Sequence, residues 1–186
     1  MKIQKLLSYT RQAVNDYNMI EEGDRIAIGI SGGKDSICLL TALAHMRRFF
    51  PVSYDIEAIT VSLGFEGCDY SQIAEYCKSL GVRYTVVDTA IGEIIFNQRK
   101  EDNPCSLCAK MRKGALNNAA EELGCNKVAL GHNKDDVIET FIMSLIYEGR
   151  ISCFSPVSFL ERKKLYSIRP LIYVSEYETR SFVKNL

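Results

Sequence analysis

The sequence lacks an excess of charge of either sign, since 23 basic and 23 acidic side chains balance to a formal net charge of zero over 186 residues. A neutral chain exerts little long-range attraction on phosphate, so a nucleic-acid partner would have to be held by local basic patches. The sequence also lacks a secretory signal pattern and any apolar run long enough to span a bilayer. These absences lead us to expect a cytoplasmic protein without a membrane partner.

Histidine is scarce and cysteine is irregularly spaced. The two histidines, His45 and His132, stand at no spacing typical of a zinc finger, and the seven cysteines form no regular framework. A chain that is 47% hydrophobic can fill one core without covalent cross-links, so we expect free thiols or metal ligands instead of disulfides. Five cysteines are interpreted as ordinary core or surface residues, namely Cys38, Cys68, Cys77, Cys125 and Cys153.

Short β-branched runs alternate with segments of helical periodicity along most of the chain. Predicted strands cover residues 25–30, 56–62, 83–87, 127–130 and 166–169. Predicted helices cover residues 6–17, 36–50, 70–80, 105–123 and 135–147, and a capped helix begins at Ser175. This alternation predicts one α/β domain over residues 1–186, with a Rossmann-like parallel five-stranded sheet and helices on both faces. The polar run 97–103 predicts an exposed, mobile loop.

A glycine turn joins the first predicted strand to the helix that follows it. Residues 31–36 read Ser-Gly-Gly-Lys-Asp-Ser, and adjacent glycines allow the backbone to come close to an anion at the N-terminus of a helix. Lys34 adds a positive charge, while Asp35 could hold Mg²⁺ or cap the helix. The pattern differs from the phosphate loop of kinases and from the dinucleotide fingerprint, so it indicates a pyrophosphate cradle. Its candidate nucleotide ligands are Ser31, Gly32, Gly33, Lys34, Asp35 and Ser36.

Two thiols stand one helical turn apart, at Cys105 and Cys108, near the start of a predicted helix. This spacing suits a shared metal or a redox pair whose thiolate is stabilised by the helix terminus. It also suits two ordinary thiols in a core. Two ligands do not complete a zinc site or an iron–sulfur site, so the pair alone leaves these interpretations open.

A second polar turn, residues 131–136, follows the fourth predicted strand and reads Gly-His-Asn-Lys-Asp-Asp. Because the carboxyl ends of parallel strands meet at one edge of a sheet, we expect this turn to face residues 31–36. Asp135 and Asp136 could coordinate Mg²⁺ or position a reacting group, and Gly131 would permit close approach of a nucleotide. An N-cap followed by first-turn acids fits the same spacing. Main-chain groups around residues 60–63, including Ser62, are expected to contact an adenine.

Together these motifs resemble a known family. Ser-Gly-Gly-Lys-Asp-Ser at 31–36 matches the PP-loop signature of the ATP pyrophosphatase superfamily, whose fold and cleavage between the α and β phosphates the resemblance implies. With segments 105–114, 130–136 and 168–171, the chain resembles the tRNA 2-thiocytidine synthetases in order and spacing over most of its length. Related thiolases that act on uridines share the loop and the cysteine pair but often carry an N-terminal zinc module, which is absent here. Lysidine synthetases share the loop but not the cysteine pair.

The resemblance implies that ATP with Mg²⁺ adenylates a cytidine carbonyl in tRNA and that sulfur then replaces the oxygen. It implies a 4Fe-4S cluster on Cys105 and Cys108, with a third protein ligand beyond residues 168–171, where this sequence has no cysteine. A missing C-terminal tail, a ligand recruited from elsewhere, or the lack of a stable cluster would each account for this difference. The implied catalytic residues are Lys34, Asp35, Arg112, Asp135 and Asp136, and Ser62, Gly131 and His132 join the nucleotide ligands. The implied partners are tRNA, a sulfur donor such as a cysteine desulfurase, and a second copy of the chain.

Other classes of function stay open at this point. A tRNA 2-thiouridine synthetase would share both main motifs. A PP-loop amide-forming ligase would release pyrophosphate with a small carboxylate and would need neither iron nor tRNA. A zinc-binding or nucleotide-binding module would bind its ligand without ATP turnover. The basic clusters 47–48, 110–113 and 162–164 are either phosphate contacts or solvated faces.

Overall fold

The computed structural model describes residues 1–65, 67–95 and 104–186. Its strands are β1 (Asp24–Gly29), β2 (Tyr54–Ser62), β3 (Arg83–Asp88), β4 (Lys127–Ala129), β5 (Val157–Leu160) and β6 (Leu165–Ile168). Its helices are α1 (Ile3–Asp16), α2 (Lys34–Met46), α3 (Ser71–Ser79), α4 (Ile91–Glu93), α5 (Pro104–Glu122), α6 (Lys134–Glu148) and α7 (Glu176–Val183).

In these described ranges the strands form one six-stranded sheet in the order β3-β2-β1-β4-β6-β5. Every neighbouring pair is parallel except β5 with β6, which is antiparallel. The predicted parallel α/β sheet is therefore confirmed, but the predicted count of five strands is wrong. The extra strand, β5, has only four residues, and its exposed edge position gives it a weak sequence pattern, so its pairing with β6 makes it a strand.

The element boundaries follow the prediction within a few residues. The largest difference is at α2, which begins at Lys34 and ends at Met46 instead of covering 36–50. The short helix α4 was missed because three residues are too few for a periodic signal. The capped helix at Ser175 is confirmed, since the Ser175 and Glu178 side chains form a capping box. The predicted mobile loop at 97–103 lies outside the described residues.

Helices cover both faces of the sheet, because successive side chains of β1 are buried on opposite faces. Ile26 and Ile28 belong to the core cluster that contains Leu39 and Leu43 of α2. Ala27, between them, belongs to a second cluster that contains Leu116 of α5. Successive residues of a strand point to opposite faces, so the same strand anchors both layers. The carboxyl end of β1 thus lies between α2 and α5.

A buried ion pair joins β1 to β4. The Lys127 ammonium lies 2.7 Å from an Asp24 carboxylate oxygen, with side chains only 6% and 2% exposed. The ammonium also donates to the Met19 carbonyl at 3.1 Å, and Asn126 donates to the other Asp24 oxygen at 2.7 Å. Removing either partner would leave an unpaired charge in the core, which costs stability. It holds together the two strands whose far ends carry the polar turns.

No helix in the described part of the chain has both the length and the apolar character needed to cross a lipid bilayer.

Candidate active site

The glycine turn leaves β1 at Gly29 and enters α2 at Lys34. Gly32 has a φ of 75°, in the left-handed region that favours glycine, and Gly33 is the N-cap of α2 without a side-chain cap hydrogen bond. The Ser36 hydroxyl donates to the Gly33 carbonyl at 2.8 Å, and it lies 3.4 Å from the Ser31 hydroxyl. The turn is therefore braced by its own hydroxyl groups, while the first N–H groups of α2 remain open to an anion.

Lys34 contacts two carboxylates beside the turn. Its ammonium lies 2.9 Å from Asp35 Oδ2 and 3.1 Å from Glu176 Oε1, and the hydrogen bond to Asp35 raises the pKa of Lys34. The other Asp35 oxygen accepts a hydrogen bond from the buried Thr179 hydroxyl at 2.8 Å. The charge of Lys34 is thus stabilised throughout the neutral pH range, and a polyphosphate would have to compete with Glu176 for it.

The second turn makes the N-terminus of α6. The Asn133 side chain accepts from the backbone N–H groups of Asp135 and Asp136, and Asp136 accepts from the Asn133 N–H at 2.8 Å. Asp135 accepts from the backbone N–H of Glu176 at 2.6 Å, so it ties α7 to this turn. The geometry is that of the capping interpretation, with both carboxylates engaged at helix ends. Neither belongs to the described residues that line the cavity below.

The two turns face each other, as the sequence predicted. Asn133 Nδ2 lies 3.4 Å from Asp35 Oδ1. A Cβ atom at Gly131 would lie 3.2 Å from the carbonyl carbon of Asp35, which is closer than most contacts in proteins. Glycine at 131 therefore allows the second turn to pack against α2, a reason that the sequence prediction, which invoked a nucleotide, did not include.

A cavity of about 630 Å³ runs along the carboxyl end of the sheet. Its floor is formed by the ends of β1, β2, β4 and β6, which contribute residues 29–31, 59–61, 130–132 and Arg169. One wall is α5, which contributes Ala109, Arg112, Lys113 and Leu116. The size is in the range of small-molecule and cofactor sites. Asp35 and Ser36 of the glycine turn line it, as do Gly131 and His132 of the second turn.

The end of the cavity next to β2 is where the sequence predicts contact with an adenine, and we call it the adenine side. Thr60, Val61 and Leu63 line it, whereas Ser62 is buried and does not belong to its described lining. The Ser62 hydroxyl accepts a hydrogen bond from the Gly64 N–H at 3.3 Å. The Thr60 hydroxyl is also engaged, because it donates to the Ile30 carbonyl at 2.9 Å and accepts from Tyr84 at 2.9 Å. The two hydroxyl groups at this end of the cavity are therefore already engaged.

The cysteine pair lies on the helix that forms the cavity wall. Cys105 is exposed and Cys108 is partly exposed. At 3.6 residues per turn, Cys105 shares a stripe of α5 with Ala109 and Arg112, both of which line the cavity. Arg112 is about 10 Å from Cys105 along the helix axis at 1.5 Å per residue. Among the described residues, no third cysteine, histidine or acidic side chain joins them in a metal-binding group.

Three of the remaining cysteines are core residues, as predicted. Burial raises the pKa of Cys38 to about 12 and the pKa of Cys77 and of Cys125 to about 11, so all three are protonated thiols. Cys68 and Cys153 are exposed.

Sequence reasoning named His132 but missed Arg169 and Phe154, which lie beside it at the β6 end of the cavity. Arg169 follows β6 directly and is only 7% exposed, and its guanidinium carbon lies 4.9 Å from the Phe154 ring centre. The His132 ring lies 4.9 Å from the same ring. Burial and then the nearby Arg169 charge lower the pKa of His132, so its imidazole is neutral at pH 7. Two signals could have found Arg169, namely its position at the carboxyl end of a predicted strand and its place in the segment 168–171 that carries part of the family resemblance.

Comparisons with known proteins identify one matching family and several relatives. A family model described as a PP-loop domain matches residues 4–186. The tRNA-cytidine(32) 2-sulfurtransferase of Geobacter metallireducens is 39% identical over 184 residues, covering 98% of this chain and 72% of that protein. Its namesake from Alkalilimnicola ehrlichii is 40% identical over 176 residues, covering 94% of this chain and 56% of that protein. The solved U34-tRNA thiolase NcsA from Methanococcus maripaludis, with its 4Fe-4S cluster, has a TM-score of 0.79 and 26% identity, covering 98% of this chain and 63% of that chain.

Proposed function

Because this chain belongs to the PP-loop family and, within it, to the group of the tRNA-cytidine(32) 2-sulfurtransferases, we propose that it thiolates a cytidine of tRNA at the cost of ATP. One observation carries the proposal. The open N-terminus of α2 borders the same cavity as α5, the helix that carries Cys105 and Cys108, and this arrangement supports an activating site next to a sulfur-handling site.

ATP fits this cavity with its adenine against the main chain at the end of β2 and its phosphates over the glycine turn. Gly32, Gly33 and the first N–H groups of α2 would hold the departing pyrophosphate, with Lys34 as the counter-charge. Asp35, whose carboxylate lines the cavity at the start of α2, would share a Mg²⁺ ion. The cytidine carbonyl oxygen attacks the α-phosphorus and pyrophosphate leaves, which gives an O-adenylated base.

The residues present fit a 4Fe-4S cluster in part. Cys105 and Cys108 would supply two thiolates, and a third protein ligand would have to come from outside the described residues. When bound, the cluster supplies sulfide for the activated ring carbon. Arg112 is on the same stripe of α5 as Cys105 and lines the cavity, where its charge would favour AMP as the leaving group.

The α5 wall of the cavity also supports the proposed tRNA partner. Arg112 and Lys113 are exposed and form a local basic patch at the cavity, which is what a neutral chain needs to hold tRNA. A cysteine desulfurase would supply sulfur in the cytoplasm. The solved uridine thiolase keeps 2-thiouridine formation as the second candidate product.

The test is a product analysis on tRNA. The chain is reconstituted with iron and sulfide without oxygen, then incubated with ATP and a tRNA transcript, and the digested nucleosides are separated by mass spectrometry. We expect 2-thiocytidine, and none from a transcript with uridine in place of the cytidine at position 32. A 2-thiouridine product would establish the second candidate instead. Pyrophosphate release that depends on a small carboxylate and not on tRNA would refute thiolation.

The proposed homodimer has a specific surface, the α6 apolar face. Within the described chain, eight large apolar side chains on or just after α6 are 39–84% exposed, namely Ile138, Phe141, Ile142, Met143, Leu145, Ile146, Tyr147 and Ile151. They present on the order of 900 Å² of apolar surface, which exceeds the largest patch of a typical monomer and matches what one partner buries in a standard interface. A second copy packed on the same face would cover both copies at once.

We therefore expect Ile146→Glu to convert a dimer into a monomer, because it places a charge in the centre of the buried face. Light scattering after size exclusion measures the mass, and circular dichroism checks the fold. Tyr177→Glu, at an equally exposed aromatic on α7, is the control and stays dimeric. A wild-type monomer, or a dimeric Ile146→Glu variant, would rule out this interface.

A further inference from the structure

The guanidinium of Arg169 is buried without a counter-charge. The side chain is 7% exposed, and no described carboxylate forms an ion pair with it. One nitrogen, Nη1, donates to the Ser155 carbonyl at 2.5 Å and to the Ser158 hydroxyl at 3.2 Å. The Nε atom is buried and has no hydrogen-bond partner in the described residues. A buried charge with an unused donor is costly, so it indicates a missing anion.

A second unused group lies beside it. His132 Nδ1 is buried and also has no partner among the described residues. Phe154 packs against both side chains, with centre distances of 4.9 Å to the His132 ring and 4.9 Å to the Arg169 guanidinium carbon. Arg169 and His132 both line the cavity. Phe154 therefore holds two polar groups in fixed positions at one end of the cavity.

The charge of this end is positive. The cavity-lining residues contributed by β4, β6 and α5 include Arg169, Arg112 and Lys113, and none of the described ones is acidic. Asp136, which acts on the pKa of His132, is engaged in the capping box of α6. Asp35, which lines the same cavity, is engaged with Lys34 and Thr179. The desolvation of Arg169 lowers its pKa, which is the expected consequence of a charge held away from water without a partner. An anion is the ligand that this arrangement favours.

The position of this end separates it from the glycine turn. Arg169 follows β6, which is separated from β1 by β4, so two strand spacings of about 4.8 Å put it roughly 10 Å from the turn. The predicted adenine side, at β2, is on the opposite side of β1. With ATP bound between β2 and β1, the β6 end is left for another substrate.

We infer that Arg169 Nε and the His132 imidazole bind a phosphate oxygen at the β6 end of the cavity, apart from the phosphates held by the glycine turn. The inference rests on the proposed function, because the polynucleotide substrate is the natural source of this phosphate. The placement favours a phosphodiester next to the target nucleotide over the α-phosphate of the adenylate. Arginine suits this task, since its planar fork keeps one edge on Ser155 and Ser158 and presents the other to the anion.

The experiment compares Arg169→Met, Arg169→Lys and, as a control, Arg11→Met, which removes an exposed arginine of α1. Binding of the tRNA transcript is followed by fluorescence anisotropy, and binding of ATP and AMP is followed by calorimetry. We expect Arg169→Met to weaken tRNA binding by about tenfold or more, as for a lost charge-assisted hydrogen bond, with ATP affinity within about twofold. Arg169→Lys restores only part of the loss, and Arg11→Met stays within about twofold.

A measurement on the wild type covers the case in which Arg169→Met fails to fold. In protein labelled with ¹⁵N-arginine, the Nε resonance of Arg169, assigned by its absence from Arg169→Lys, should shift on addition of a short RNA stem-loop. A shift with AMP alone supports the phosphate site but makes the adenylate its source. No shift with either, or unchanged tRNA and AMP affinities in Arg169→Met, overturns the inference. Binding is read without turnover, so tRNA that binds but is not thiolated would contradict only the proposed function.

Discussion

Replacing Lys34 with Met is expected to reduce tRNA-dependent pyrophosphate release by about 10²-fold or more. The departing pyrophosphate gains negative charge as the α–β bond breaks, and groups aimed at such charge typically contribute 10²–10³ in rate. The Lys34 ammonium lies at the open N-terminus of α2. In the structure it pairs with the carboxylates of Asp35 and Glu176, which a bound pyrophosphate would replace as its partners. Methionine keeps the length of the side chain but not its charge.

Pyrophosphate is measured by a coupled assay at saturating tRNA, and a thermal melt of the variant confirms the fold. Lys78→Met, at an exposed lysine of α3, is the matched control and should leave the rate unchanged. If Lys34→Met kept more than about a tenth of the wild-type rate, the glycine turn would not be the site where pyrophosphate leaves.

Replacing Cys105 with Ser is expected to abolish thiolation and leave pyrophosphate release within about threefold. The thiolate, not the thiol, is the ligand and the nucleophile, and serine supplies neither a soft ligand nor a comparable anion at neutral pH. Cys105 is exposed and does not belong to the described residues that line the cavity beside the glycine turn, so its loss should leave that turn intact. The two half-reactions should therefore separate in this variant.

Two measurements are made on the same preparation of Cys105→Ser. Bound iron and sulfide, with the visible spectrum, report whether the cluster forms, and mass spectrometry of digested tRNA reports the product. Cys68→Ser is the control, since Cys68 is also exposed but lies outside α5. Retained thiolation in Cys105→Ser would show that the α5 thiols do not carry sulfur. Loss of pyrophosphate release as well would show that the helix shapes the nucleotide site.

The signals that sequence reasoning could use were local. Residues 31–36 carry their chemistry in six consecutive positions, and a glycine pair between an apolar strand and a helix is typical of a turn that binds phosphate. The pair Cys105 and Cys108 is equally local, because one turn of one helix brings the two thiols together. The strand β5 was not predicted because its four residues form a strand only through their pairing with β6.

The acids of the second turn show the limit of local sequence patterns. Asp135 and Asp136 fit both a metal site and a helix cap by spacing alone. In the structure Asp136 closes the capping box of Asn133, and Asp135 binds the N–H of Glu176, a residue 41 positions later. A contact over that separation leaves no periodic or compositional trace in the sequence.

By itself the sequence determined the class of sheet, the glycine turn at 31–36 and the cysteine pair, because each depends on neighbours within a few residues. Only the tertiary structure decided that Glu176 shares Lys34 and that Arg169 meets His132 at the cavity. The physical reason is strand order. The sheet runs β2-β1-β4-β6, so chain segments more than a hundred residues apart end at one edge, and their side chains meet only after the sheet has formed.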